Sequence, residues 1–187
     1  MSVPTALLII DMQRDVVAGK ASAARQPEVD AAFEACIKRL ARVLYKARNS
    51  DAKVVIVQHD GGEGHRLETG TDGWELRPEF APLSSETVIH KEASDAFFET
   101  SLGMFLSRWG TQRLVIGGCM TQFCVDTTVR STVARGYDVT LLSDGHTTGD
   151  QGELSFEQII AHHNLTLDGF DAGMNEVRLA TCEDVEF

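Results

Sequence analysis

A chain of 187 residues suits one domain, residues 1–187, large enough to bury a core without disulfides or metal as staples. Its 17 Lys and Arg against 28 Asp and Glu give a formal net charge of −11. That balance argues against nucleic acid and against an anionic membrane surface, since both need clustered positive charge, and it is read here as solubility.

Residues 6–10 form an apolar run with no basic stretch before it, ended by Asp11. It reads as a buried strand and as neither a leader nor a membrane span. Residues 28–49 carry Ala32, Phe33, Cys36, Leu40, Val43, Leu44 and Ala47 at helical spacing, with Lys and Arg between them. Strands follow at 54–58 and 86–90. Residues 101–109 read as a helix ended by Gly110, and 114–117 as a strand. Residues 121–135 read as a helix closed by Gly136 in a left-handed conformation. A strand at 139–142 and a helix at 155–167 with Ser155 as N-cap complete the series.

Strands apolar on both faces, alternating with helices, predict a three-layer, doubly wound α/β domain with a parallel sheet. Ligands bind such sheets beyond the carboxyl ends of the strands. Asp11, His59 and Lys91 fall at three of these ends, and a fourth end leads through Gly117 and Gly118 to Cys119 and Cys124. The stretch 60–85, rich in Gly, Pro and charge, reads either as a pocket wall or lid, or as a mobile surface insertion.

The four cysteines (Cys36, Cys119, Cys124, Cys182) show neither a CxxC pair nor zinc spacing, so reduced thiols in a cytoplasm are expected. Cys124 follows a strand and a Gly-Gly turn at the start of a helix. There the helix dipole is expected to lower a thiol pKa, and exposed backbone N–H groups can hold an oxyanion. The alternative is a buried structural cysteine. Asp11 reads as a general base or a turn aspartate, and Lys91 as a charge partner or a solvated lysine. Together they place acid, base and thiol at the ends of different strands, as a site assembled on a doubly wound sheet requires.

Three motifs carry a family resemblance: LLIIDMQRD, HKEASDAFFET and GGCMTQFCVDTTVRSTVARGYDVTLLSDGHTT. In order and spacing they resemble those of the isochorismatase-like cysteine hydrolases, over about residues 5 to 170. The resemblance implies a six-stranded parallel sheet with helices on both faces, and a triad of Asp11, Lys91 and Cys124. It further implies a cis peptide between Cys119 and Met120, and an oxyanion site made by the Met120 and Cys124 N–H groups. The implied reaction is hydrolysis of a small amide-type C–N bond through a thioester, and the implied assembly a homodimer or homotetramer.

Nicotinamidases of the family carry an Asp-x-His…His metal motif. The corresponding QHDGGEGHR stretch offers His59, Asp60 and His65 in another pattern, so no metal and no cofactor is expected. The retained cysteine points away from vinyl ether hydrolysis of isochorismatase type. Val16 and Val17 stand where the family usually has an aromatic, so that part of the pocket wall is expected to differ. Gln13, His59, Trp74, Phe97, Phe98, Met120 and Phe123 are the candidate pocket residues. The competing readings are a catalytically silent binding or assembly domain, and a redox pair formed by Cys119 and Cys124. The HHN tract at residues 162–164 is not expected to bind metal, because adjacent histidines on a helix do not share a face.

Overall fold

The computed structural model describes residues 3–187. Strand β1 (Thr5–Ile10) is buried along its whole length. Its side chains alternate between two cores, as the two-residue period of a strand demands. Leu7 and Ile9 join the cluster beneath helix α1 (Gln26–Arg48), while Ala6, Leu8 and Ile10 face the opposite layer. That layer contains Leu102 and Leu106 of α2 (Leu102–Arg108) and Val129 and Val133 of α3 (Asp126–Ala134). Helix α1 carries Pro27 in its first turn, with Glu28 near its N-terminus and Lys46 and Arg48 near its C-terminus, which complements the helix dipole.

The remaining strands are β2 (Lys53–His59), β3 (Thr87–Lys91), β4 (Arg113–Cys119), β5 (Asp138–Thr147), β6 (Asp171–Ala172) and β7 (Asn175–Ala180), with α4 (Phe156–Leu167) after β5. Their order in the sheet is β3-β2-β1-β4-β5-β7-β6. All neighbours pair in parallel except β6 and β7. The expected six-stranded sheet is therefore a seven-stranded one. Six strands are parallel, and β6 adds a two-residue antiparallel rung through Asp171–Glu176 and Ala172–Asn175. β5 also runs five residues beyond the segment expected from its apolar run, through the polar SDGHT sequence. The helix expected at 121–135 opens with a π turn, Thr121–Val125, before α3. Gly136 does close it, at φ +87°. Ser155 caps α4 in a reciprocal box with Gln158.

The strand order reverses between β1 and β4, the place where open α/β sheets bind ligands. The two strands approach closely there. A Cβ on Gly118 would lie 2.1 Å from the Ile10 carbonyl oxygen, and its φ of +132° is one that only glycine adopts without strain. The long 60–85 segment is packed rather than loose. Leu67 and Phe80 are buried, Arg77 pairs with Glu34 of α1, and Gln13 bridges to Leu76. No helix among the described residues is long and apolar enough to cross a membrane.

Candidate active site

Three strand ends converge on Lys91. Its Nζ donates to Asp11 Oδ2 at 2.7 Å, to Cys124 Sγ at 3.1 Å and to the Ala93 carbonyl at 3.1 Å. Lys91 closes β3, Asp11 follows β1, and Cys124 lies in the π turn after β4. Asp11 and Lys91 are 1% and 2% exposed, so neither charge is hydrated and each depends on the other. Asp11 adopts φ +50°, a left-handed conformation that aspartate tolerates better than most residues. Its Oδ1 is buried and accepts no hydrogen bond.

Burial alone would lower the Lys91 ammonium, but Asp11 and Cys124 outweigh it and raise its pKa. The thiol behaves oppositely to the sequence expectation. Burial, followed by the Asp11 carboxylate, pushes Cys124 up to about 12 against the pull of Lys91. Two local features work against the dipole. Cys124 sits inside a π turn and not at the first residues of a regular helix, and a buried carboxylate is its neighbour. The resting site thus holds a neutral thiol beside a Lys–Asp ion pair.

Asp11 and Cys124 line a cavity of about 260 Å³ together with Val16, Lys20, His59, His65, Arg66, Leu67, Ser94, Met120 and Phe123. Of the pocket candidates, His59, Met120 and Phe123 are brought to it. Gln13, Trp74 and Phe97 are not. Gln13 is fully buried and acts as a clamp: its amide donates to the His59 and Trp74 carbonyls at 2.9 and 2.8 Å and accepts from the His59 N–H. Trp74 donates its indole N–H to Asp60 at 2.8 Å and stacks on His90. Phe97 packs in the core against Tyr137 under the Arg135 guanidinium. Phe98 lies on a neighbouring groove with Asp60, His90 and Glu92. For Gln13, Trp74 and Phe97 the packing needs of the loop or core claim the side chain before the pocket does, whereas Phe98 is exposed.

Two residues not singled out in the sequence, Arg66 and Lys20, also line the cavity. Both sit in irregular segments, where periodicity gives no signal. His65 lines the cavity, its Nδ1 accepting from the Leu67 N–H at 3.1 Å. His59 lies 3.4 Å from the Lys91 ammonium, and burial followed by that charge lowers its pKa, so it is neutral at neutral pH. Donor atoms of Asp11, His59 and Cys124 cluster within 4.8 Å, a spacing that a metal ion can use. The Lys91 ammonium already contacts all three, so the cluster carries its own cation.

Cys119, the partner in the redox reading, is fully buried with its Sγ 3.8 Å from Met12 Sδ. The peptide bond that follows it, Cys119–Met120, is cis. The Met120 carbonyl accepts from both the Phe123 and Val125 N–H groups, which shapes the wide turn around Cys124.

Known proteins resemble the chain in sequence and in fold. An isochorismatase domain model matches residues 5–164. An uncharacterized isochorismatase family protein of Bacillus subtilis, YddQ, is 37% identical over 146 residues, covering 77% of this chain and 78% of its own. A streptothricin hydrolase of Streptomyces noursei is 35% identical over 145 residues, 78% of this chain, and the match spans only 55% of that longer protein. A solved isochorismatase structure from Pseudomonas putida superposes with a TM-score of 0.84 at 26% identity, covering 100% of this chain and 94% of its own. The chain belongs to the isochorismatase family and is a hydrolase.

Proposed function

We propose that the protein hydrolyses an amide-type C–N bond of a small molecule through a thioester on Cys124. The observation that carries this reading is the Lys91 ammonium held between the Asp11 carboxylate and the Cys124 thiol, both of which line a cavity. With the thiol neutral at rest, attack and deprotonation are coupled. Asp11 Oδ1, buried and unpartnered, takes the Sγ proton as the sulfur bonds to the carbonyl carbon. The oxyanion rests on the Met120 and Cys124 N–H groups. Asp11 returns the proton to the leaving nitrogen, then draws one from the water that cleaves the thioester. That second proton goes to the departing Cys124 sulfur, and the Lys91 ammonium stays beside both groups throughout. The substrate is a small molecule and the enzyme a homodimer or homotetramer in a cytoplasm; the residues 1–187 act as one domain.

4-Nitrophenyl acetate tests the mechanism with intact-mass detection. The wild type is expected to acetylate at Cys124 and turn over, and Cys124→Ala to give no such adduct. Asp11→Asn is expected to hold the thioester at least about 100-fold longer, because water loses its base. No acetyl group on Cys124 in any form would sink the reading and favour a silent binding domain.

A further inference from the structure

Resting on that reading, we infer that Arg66, assisted by Lys20, forms an anion subsite beside Cys124, and that the substrate is a small amide bearing a carboxylate. Arg66, half-buried, lines the same cavity as Asp11 and Cys124. Its Nε donates to the Val16 carbonyl at 3.0 Å, and one Nη rests on the Met120 thioether at 3.4 Å. A thioether is a weak acceptor, so that contact is easily exchanged.

Arg14, Arg25, Arg48 and Arg77 each pair with a carboxylate. Among the described residues no carboxylate lies within salt-bridge distance of Arg66 or Lys20, although the chain carries 28 Asp and Glu. The one carboxylate lining the cavity, Asp11, is already neutralised by Lys91.

Taking a guanidinium partly out of water without a counter-charge is costly, and burial does lower its pKa. A bound anion repays that cost. The Val16 carbonyl holds the Nε edge and leaves the Nη groups for the planar, two-point grip that arginine makes on a carboxylate. The cavity of about 260 Å³ must also admit the scissile amide, which limits the anion to a short acid.

A matched pair of alkylating agents reads this directly. Iodoacetate carries a carboxylate and iodoacetamide does not, and both react with thiolate. The ratio of their rates at Cys124, divided by the same ratio for free glutathione, cancels any change in thiol activation. The wild type is expected to favour iodoacetate by about tenfold or more, with saturation, as charge-assisted hydrogen bonds provide. Arg66→Gln is expected to bring the ratio to that of the free thiol, Arg66→Lys to keep part of it, and Lys20→Gln to reduce it less. Succinamate should protect Cys124 better than inorganic phosphate.

A wild-type ratio equal to that of glutathione, or one unmoved in Arg66→Gln, overturns the subsite. Equal protection by phosphate overturns the carboxylate assignment. If neither reagent labels Cys124, it is the nucleophile reading that fails. Calorimetric binding of succinamate against succinamide then decides the subsite. A preference for succinamate lost in Arg66→Gln upholds it, and equal binding overturns it.

Discussion

Asp11 raises the pKa of the very thiol it is proposed to deprotonate, and this gives the triad an unusual signature. With the thiol at about 12, alkylation of Cys124 by iodoacetamide should climb about tenfold per pH unit through pH 8 to 10, without the plateau of a free cysteine. Asp11→Asn removes the carboxylate and leaves Lys91 unneutralised. The thiol pKa should then fall and alkylation at pH 8 should speed up, even as turnover is lost. Lys91→Met should do the reverse to alkylation. Rates followed by intact mass decide it, and slower labelling in Asp11→Asn would refute the electrostatic account. Asp11 and Lys91 were legible as strand-end positions because one directly follows and the other ends a plain strand, whereas Cys124 was marked by the Gly-Gly turn and helix start after a third. The thiol's charge state was not. It depends on how deeply three side chains from distant segments are buried together, which no local spacing encodes.

The π turn that carries Cys124 is held from behind by a buried network. Thr121 Oγ1 donates to His146 Nδ1 at 2.9 Å, and His146 Nε2 donates to Asn164 Oδ1 at 2.9 Å. Asn164 in turn donates to the Ser143 carbonyl, so β5 and α4 both brace the turn. The Asn164 amide oxygen only accepts, so Nε2 carries the ring proton, and burial pushes the His146 pKa down to about 4, which keeps the ring neutral with Nδ1 as the acceptor. An unfolded histidine takes up its proton near pH 6.5, whereas the folded one does so only near 4. The stability this neutral ring contributes is therefore complete above pH 6.5 and is lost as pH falls towards 4, by about 2–3 kcal/mol. Urea unfolding at pH 7 and 4.5 should show that loss in the wild type and a smaller one in His146→Gln, whose amide keeps both hydrogen bonds and does not titrate. An equal loss in the two proteins would refute it. Asn164 belongs to the HHN tract whose histidines gave no metal signal. Its role was hidden because the helix period shows which face is buried but not which polar group waits across it. Gln13 and Trp74 were misplaced for the same reason, since both answer unmet backbone and carboxylate groups of the 72–74 turn and its neighbours.

Across the whole molecule, the β1–β5 framework was readable from apolar runs and helical spacing, but the far edge was not. Strand β7 is half polar, NEVRLA, and only Val177 is deeply buried, so it lacks the continuous apolar run that betrays a central strand. The tail after it looked equally bland, yet Thr181–Phe187 closes the α1 side of the core. Cys182 and Val185 are 2% and 4% exposed, and Phe187 packs against the same cluster as Leu40 and Leu44. The Lys46 ammonium, in the last turn of α1, reaches the carbonyls of Cys182, Glu183 and Val185. Tail and helix end thus satisfy each other: carbonyls with no strand partner gain a cation, and the helix C-terminus keeps its favourable charge. Deleting residues 182–187 would bare that apolar surface and strip Lys46 of three acceptors. Losing the burial of Val185 alone is worth about 1.5–3 kcal/mol, so the full deletion should cost more than that. Urea unfolding monitored by circular dichroism should place Val185→Ser between the wild type and the truncated chain. The thioester on Cys124 should form at wild-type rate in Val185→Ser under native conditions, because the tail lies outside the cavity. An unchanged midpoint in the truncated chain would show that the tail only rests on the surface, and the core would then have to be complete without it.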